Sequence, residues 1–237
     1  IGKILMKVAA DKRLACSHKA GKWMYGMQDF QVIHNAINVN KFVYSEEKAE
    51  RIRQEFDLEG KHVYGHIANF IGSKNHMFLL EIYQEIAKRD DKAIFFCLGE
   101  GELRPQIEEK IRELKLEDKI ILTGIRHDVE DFMSAMEVLI FPSFFEGLPL
   151  TLIEAQIASL PALISDTITQ EVIITEGMVT MKSIQENSKN WAEKAMEILE
   201  KSKLKTRQCQ RKAIQDAGYD MDILVKWYED YFTRLVE

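Results

Sequence analysis

The sequence of 237 residues is poor in cysteine, in long apolar runs and in excess basic charge. Its three cysteines, Cys16, Cys97 and Cys209, are odd in number and far apart, and no CxxC pair or Cys/His cluster predicts a zinc site. We therefore expect a reducing compartment, with Cys97 a buried thiol. No apolar run reaches the length of a transmembrane helix, and the first residues lack the pattern of a signal peptide. The net charge of −6 argues against a general affinity for nucleic acids.

What is present is typical of a globular protein. Hydrophobic residues make up 46% of the chain, an ordinary value, and the length suffices for one domain or one and a half. The chain begins with Ile rather than Met, and its opening residues have the character of the middle of a sequence. We therefore expect a fragment of a longer protein. No internal repeat or low-complexity segment is visible.

Continuous apolar runs alternate with helical periodicity along most of the chain. We predict strands at residues 13–17, 32–37, 63–68, 93–98, 119–123, 138–141, 161–164 and 178–181. Helices are predicted at residues 19–26, 46–56 (capped by Ser45), 76–88, 103–114, 128–136, from about 149, 188–201 (capped by Ser188), 203–217 and 222–236. Continuously apolar strands alternating with helices predict an α/β fold, a Rossmann-like parallel sheet flanked by helices on both faces.

The predicted topology brings four loops to one edge of the sheet. In such sheets, ligands bind beyond the carboxyl ends of the strands. The loops at those ends contain residues 69–74, 99–101, 124–126 and 143–148. We therefore expect the functional site at this edge.

The most informative stretch is FFEGLPLTLIEA at residues 144–155, which follows a predicted strand. Pro149 suits the first turn of a helix, and Gly147 would let a ligand approach the backbone closely. The unpaired N–H groups at the helix start predict an anion site, most commonly for phosphate. Glu146 and Glu154 flank it, and carboxylates accept hydrogen bonds from sugar hydroxyls. The alternative is an ordinary strand–loop–helix in which two glutamates stand eight apart by chance.

Residues 146–166, EGLPLTLIEAQIASLPALISD, closely resemble the nucleotide-sugar site of family 4 retaining glycosyltransferases, in the bacterial exopolysaccharide and capsule branch. That family has two glutamates with seven residues between them, and Glu146 and Glu154 match this spacing. The resemblance also covers the strings VIHNAIN, KNH and LGEG, at residues 32–38, 74–76 and 98–101. These motifs stand in the family's order and extend over most of the chain.

The resemblance implies the C-terminal half of a two-domain GT-B fold. Residues 1–40 would be the end of the N-terminal, acceptor-binding domain and a linker, with most of that domain missing. Residues 41–220 would form the Rossmann-like nucleotide-sugar-binding domain, and residues 221–237 a helix that packs back toward the N-terminal domain. The apolar stripe of this last helix would then be partly exposed here; the alternative is that it packs on its own domain. The stripe consists of Leu224, Trp227, Tyr228, Tyr231 and Leu235.

The resemblance also implies roles for individual residues. The catalytic residues would be Glu146, which bonds the transferred sugar, and Lys74, which binds the donor diphosphate. Glu154 would accept hydrogen bonds from the ribose hydroxyls. The backbone N–H groups of Gly147 and Leu148, just before Pro149 opens the helix, would hold the sugar and the diphosphate.

Asn69 departs from the family, which has Gly-Arg where this chain has Ala68-Asn69. The missing arginine would remove a fixed charge from the diphosphate and weaken donor binding by about 1.5–3 kcal/mol. Arg126 is a candidate to compensate, although its loop runs beside the nucleobase in the family. Gly99 makes a tight turn that lines the cleft, and the incomplete GxGxxG pattern excludes a nicotinamide site.

For the remaining phenylalanines and histidines we expect structural roles rather than roles in catalysis or ligand binding. Phe144 and Phe145 could stack on a ligand, but we expect one of them in the core. His34 takes the place of the proline that the family usually has, and we expect a linker residue. The other histidines show no ligand spacing and are expected to be structural or on the surface: His18, His62, His66, His76 and His127.

The resemblance implies transfer of a sugar from a nucleotide diphosphate sugar, with UDP ahead of GDP and ADP, to a glycan or lipid-linked acceptor with retention. No metal is expected, because no paired aspartates stand where a cation would be held, and no cofactor besides the donor. We expect a cytoplasmic protein, peripheral to the inner face of the membrane as an alternative, and an inactive fragment. Two other functions stay open: an epimerase or phosphorylase on this fold, or a binding module that has lost catalysis, as Asn69 suggests.

Overall fold

The computed structural model of the protein describes residues 12–204 and 206–236. The chain forms two compact units. The larger unit comprises residues 40–210, and the smaller unit combines residues 12–39 with residues 211–236. The first eleven residues of the predicted acceptor-domain segment 1–40 lie outside the described residues.

The described strands and helices follow the predicted alternation. The strands are β1 (Leu14–Ala15), β2 (Gln31–Val32), β3 (His62–Ile67), β4 (Ala93–Leu98), β5 (Ile120–Gly124), β6 (Val138–Phe141), β7 (Ala162–Ser165) and β8 (Val179–Lys182). The helices are α1 (His18–Tyr25), α2 (Val39–Phe42), α3 (Glu46–Glu55), α4 (His76–Ala87), α5 (Arg104–Leu114), α6 (Val129–Ala135), α7 (Leu150–Ile157), α8 (Ser188–Lys203), α9 (Arg211–Asp216) and α10 (Met221–Val236). Among these residues, no helix is both long and apolar enough to cross a lipid bilayer.

The larger unit contains a six-stranded sheet in the order β5-β4-β3-β6-β7-β8, and every neighbouring pair of strands is parallel. All six residues of β4 are buried, Cys97 among them, because helices cover both faces of the sheet. The predicted α/β, Rossmann-like fold is confirmed, and so is the buried thiol. The chain runs outward from β3 to β5 in one direction and from β6 to β8 in the other. The sheet therefore has its switch point between β3 and β6, where ligands of such folds bind.

Two helix boundaries show how local capping works in this chain. The Ser45 side chain accepts a hydrogen bond from the Lys48 N–H at 3.4 Å, so the predicted cap of α3 is confirmed. The predicted cap of α8 at Ser188 is wrong by one residue. The cap is Asn187, whose Oδ1 accepts from the Asn190 N–H at 2.9 Å.

The predicted helix over residues 203–217 is shorter in the structure. Helix α8 extends to Lys203, and α9 covers only Arg211–Asp216. Residues 211–220, which were predicted to belong to the nucleotide-sugar domain, group with the smaller unit. There the Ile37 N–H donates to the Tyr219 carbonyl at 2.8 Å, and the His34 ring stacks on the Tyr219 ring at 4.4 Å.

Candidate functional site

The loops that follow β3 and β6 meet at the switch point of the sheet. The Phe144 N–H donates to the Ser73 carbonyl at 2.8 Å, and the Asn75 side-chain amide donates to the Pro142 carbonyl at 3.1 Å. Asn75 has a positive φ of 58°, a left-handed conformation that asparagine tolerates better than most residues. This turn leads the chain from the first loop directly into α4. Two backbone-anchored contacts therefore fix the loops to each other.

A charged pair joins the same two loops. The Lys74 ammonium donates to both carboxylate oxygens of Glu146, at 2.6 and 2.8 Å. Little of either side chain is exposed, 17% for Lys74 and 9% for Glu146. The order of strands and loops in the sequence predicts both residues at one edge of the sheet, and the structure brings them into direct contact. Their assigned roles in binding the donor stay predictions.

The start of α7 lies just beyond this pair in the chain. The helix begins at Leu150, with Pro149 as its cap, and no described side chain caps its first turn by a hydrogen bond. Proline cannot supply such a side-chain acceptor, so the first N–H groups are available to an anion. Gly147 is exposed and has no positive φ, and a Cβ added to it would meet no described atom within 4 Å. Neither the backbone conformation nor the packing therefore requires a glycine at position 147. The remaining explanation that we favour is that a ligand approaches the backbone closely there.

Glu154 lies on α7, one turn into the helix, and is half-buried. Burial raises the pKa of its carboxyl group to about 7; Lys41 opposes this shift and Glu130 adds to it. Lys41 and Glu130 form an ion pair at 3.3 Å, so much of the charge of Lys41 is shared with Glu130. The carboxyl group of Glu154 is therefore about half protonated near neutral pH.

The loop after β4 packs against the loop that contains Asn69. Gly99 has a φ of 141°, and a Cβ on it would lie 2.0 Å from the Ala68 carbonyl oxygen. Only glycine fits this close approach, which explains the residue without invoking a ligand. Asn69 itself is exposed at the carboxyl edge, where the resembled family has arginine. The position is therefore open for a longer, charged side chain.

Arg126 is engaged by acidic neighbours in the larger unit. Its guanidinium donates to Asp128 at 2.9 and 2.7 Å and to Glu55 at 3.2 and 3.3 Å. It also lies over the Phe132 ring, 4.9 Å from the centroid. Two carboxylates already balance its charge, which argues against Arg126 as a replacement for the arginine missing at position 69.

Two histidines that were expected to be structural or on the surface, His66 and His76, are buried beneath the site. The rings of His66 on β3 and His76 at the start of α4 are 5.0 Å apart. His66 Nδ1 lies 2.8 Å from the Ile140 carbonyl and donates to it, whereas His66 Nε2 and both nitrogens of His76 have no hydrogen-bond partner among the described residues. Burial lowers the pKa of His66 to about 3 and that of His76 to about 4. Both rings are therefore neutral at ordinary pH.

The aromatic pair before Glu146 lies at the surface. Phe144 is 52% exposed and Phe145 is 60% exposed. The expectation that one of them belongs to the core is wrong, because β6 ends at Phe141 and the chain has already left the sheet. Within residues 12–204 and 206–236, no three His, Cys, Asp or Glu side chains are grouped closely enough to hold a metal ion.

Solved structures define the class to which this fold belongs. The chain superimposes on the Anabaena protein Alr3699/HepE, crystallised with UDP and glucose, with a TM-score of 0.79 and 17% identity over 97% of this chain and 65% of that one. It superimposes on sucrose-phosphate synthase (tll1590) from Thermosynechococcus elongatus with a TM-score of 0.81 and 17% identity, over 99% of this chain and 60% of that one. The fold is that of the Rossmann-like half of a GT-B glycosyltransferase.

Sequence comparisons then give the family. Residues 48–216 match the family described as "Glycosyl transferases group 1", and the chain belongs to this family. It is 29% identical over 212 residues to "Putative glycosyltransferase EpsF" of Bacillus subtilis, across 87% of this chain and 55% of that protein. It is 25% identical over 164 residues to "UDP-Gal:alpha-D-GlcNAc-diphosphoundecaprenol alpha-1,3-galactosyltransferase" of Escherichia coli, across 65% of this chain and 42% of that protein. The chain thus spans about half the length of the curated relatives it matches.

Proposed function

We propose that this chain is the donor-binding part of a glycosyltransferase that transfers a sugar from a nucleotide diphosphate sugar to a glycan or lipid-linked acceptor, with retention. The observation that carries this proposal is the contact of Lys74 with Glu146 at the switch point, close in the chain to the start of α7. An ammonium group, a helix N-terminus and carboxylates are the groups that a diphosphate joined to a hydroxyl-rich sugar requires.

In the proposed reaction, Lys74 and the first N–H groups of α7 bind the diphosphate. Negative charge grows on the diphosphate as its bond to the sugar breaks, so these groups stabilise the transition state more than the bound donor. Glu146 binds a hydroxyl of the transferred sugar, and Glu154 accepts from the ribose. We propose no metal and no cofactor besides the donor, because Lys74 and the helix supply the positive charge.

UDP is the nucleotide that we propose. The structure of Alr3699/HepE contains UDP, and the name of the Escherichia coli relative gives UDP-Gal as its donor and a diphosphoundecaprenol lipid as its acceptor. These names support a UDP-sugar and a lipid-linked or glycan acceptor for this chain as well. The acceptor would bind through the N-terminal domain that the resemblance implies, so we expect this chain alone to bind donor without transferring sugar. A cytoplasmic location stays a prediction.

We expect this chain to bind UDP in preference to GDP and ADP, and the affinity to rise with pH. Glu154 accepts from the ribose as a carboxylate, and its pKa of about 7 means that it is mostly protonated at pH 6 and mostly ionised at pH 8. Binding at pH 6 must first remove this proton, so it should be weaker than at pH 8 by several-fold up to about tenfold. Isothermal titration calorimetry at both pH values measures the difference.

The matched variants for this titration are Glu154→Gln and Glu193→Gln. Glu193 is exposed on α8, so its substitution makes the same change in net charge away from the site. Glu154→Gln should bind UDP about tenfold more weakly at pH 8 and lose the pH dependence, because a hydrogen bond to a charged group contributes about 1.5–3 kcal/mol. Equal affinity of Glu154→Gln and the unsubstituted chain would refute the assigned role of Glu154.

The exposed Asn69 is the observation that favours the second candidate function, a binding module that has lost catalysis. If the missing charge is uncompensated, Asn69→Arg should bind UDP more tightly by about tenfold or more, because a charge-assisted hydrogen bond is about twice as strong as a neutral one. We expect this gain, since Arg126 is held by Asp128 and Glu55. Calorimetry of Asn69→Arg beside the uncharged Asn69→Gln tests it. No gain would mean that another cation already serves the diphosphate.

A further inference from the structure

The contact between Lys74 and Glu146 has a consequence for what the site can bind. Both oxygens of the Glu146 carboxylate are within hydrogen-bond distance of the one ammonium group, and the pair is largely shielded from water. Removing one partner of such a pair leaves the other uncompensated, and that is costly. A ligand phosphate that takes the ammonium must therefore offset the loss to Glu146.

We infer that Glu146 makes the site select diphosphates that carry a hydroxyl-rich sugar over bare nucleoside diphosphates and pyrophosphate. This inference rests on the proposed function and deepens it, since it assigns a selectivity to the carboxylate. The sugar brings O–H donors that replace the ammonium as partners of Glu146. A bare diphosphate brings no donor and leaves the carboxylate uncompensated.

Charge repulsion acts in the same direction. The terminal phosphate of a bare diphosphate is an unesterified group with more negative charge than a phosphate joined to a sugar. A neighbouring carboxylate in a partly buried site repels the more highly charged group more strongly. Glu146 therefore disfavours the nucleoside diphosphate that remains once the sugar has left, which promotes release of that product.

The structure lets this selectivity be tested without disturbing the loops. The Phe144–Ser73 and Asn75–Pro142 hydrogen bonds hold the two loops together, and neither involves the side chain of Lys74 or Glu146. Glu146→Gln preserves the size and shape of the side chain, removes its charge and replaces one of its two acceptor oxygens with an NH2 donor. Its effect on ligand affinity therefore reports the carboxylate rather than a collapse of the site.

The experiment is a calorimetric titration with UDP, UDP-glucose and inorganic pyrophosphate. The proteins are the unsubstituted chain, Glu146→Gln, Lys74→Gln, the double variant, and Glu193→Gln as the control for net charge. In Glu146→Gln, we expect the affinities for UDP and pyrophosphate to rise on the order of tenfold, mainly because the Lys74 ammonium is released to bind phosphate, with a smaller contribution from the loss of a neighbouring like charge. The affinity for UDP-glucose should stay level or fall, since the sugar loses its carboxylate acceptor.

Two comparisons test the inference: one between the three ligands, and one between proteins that contain Lys74 and proteins in which it is replaced. Parallel changes for UDP and UDP-glucose, or the same gain for pyrophosphate when Lys74 is replaced, would overturn the inference. A gain in pyrophosphate affinity that requires Lys74 would support the competition between Glu146 and bare anions for the ammonium group. If, in addition, no variant binds UDP or UDP-glucose, the proposed function would be overturned instead. Glu193→Gln should leave all three affinities unchanged.

Discussion

Replacing Arg207 with lysine is expected to lower the free energy of unfolding by about 3 kcal/mol, because buried carbonyl groups lose their donors. Arg207 is the residue that fastens the ends of α6 and α7. Its guanidinium donates five hydrogen bonds of 2.7–3.1 Å, to the backbone carbonyls of Met133, Ser134, Met136 and Ala158. It also lies over the ring of Tyr44, 4.5 Å from the centroid. These carbonyls belong to buried residues, and no lysine can reproduce the planar fork that serves them.

Urea unfolding of Arg207→Lys measures this difference, and Arg112→Lys is the matched control. Arg112 is exposed on α5 and pairs with Glu109 on the surface. An exposed pair of this kind contributes about 0–1 kcal/mol, so the control should unfold close to the unsubstituted chain. A loss of under 1 kcal/mol in Arg207→Lys would show that water satisfies the carbonyls as well as the guanidinium does.

The sheet was predictable because its strands are short, continuous runs of apolar residues. Residues 93–98 are continuously apolar, and β4 covers the same residues with every side chain buried. The helix predicted over residues 203–217 is only partly present in the structure. Periodicity shows which residues suit a helix, but it does not show which tertiary contacts favour another conformation. Arg207 makes its bonds to the ends of α6 and α7 from the non-helical segment between α8 and α9. A single side chain that satisfies carbonyls 49–74 residues away leaves no trace in local sequence patterns.

The site was predictable to the level of loops but not of contacts. Parallel strands bring their following loops to one edge, which placed Lys74 and Glu146 near each other. The order of strands, with β3 beside β6, is what puts those two loops in contact, and alternation alone does not specify that order. Burial of His66 had a local signal, since it stands inside an apolar run. Its packing against His76 had none, because it depends on how α4 returns onto the sheet.

Mild acid is expected to destabilise the larger unit through the His66–His76 pair. Burial lowers the pKa of His66 to about 3 and that of His76 to about 4, and neighbouring positive charge contributes to both shifts, from His76 and Lys74 for His66 and from Lys74 for His76. Unfolded histidine titrates near 6.5. Below pH 6.5 the unfolded chain binds protons that the folded chain does not, so the stability contributed by the neutral rings is lost as pH falls toward 4. The free energy of unfolding should drop by about 4 kcal/mol between pH 7 and pH 5 from these two residues.

Replacing His76 with phenylalanine should remove about half of this acid sensitivity. Neither ring nitrogen of His76 has a hydrogen-bond partner in the described part of the chain, so an apolar ring can replace it with little change in stability at pH 7. At pH 5, His76→Phe should therefore be more stable than the unsubstituted chain by about 2 kcal/mol. Urea unfolding at both pH values measures this, with the exposed His127→Gln as the control that should keep the original pH dependence. If His76→Phe and the unsubstituted chain lose equal stability between pH 7 and pH 5, His76 takes up its proton in the folded state, and the ring must then have a partner such as a buried water.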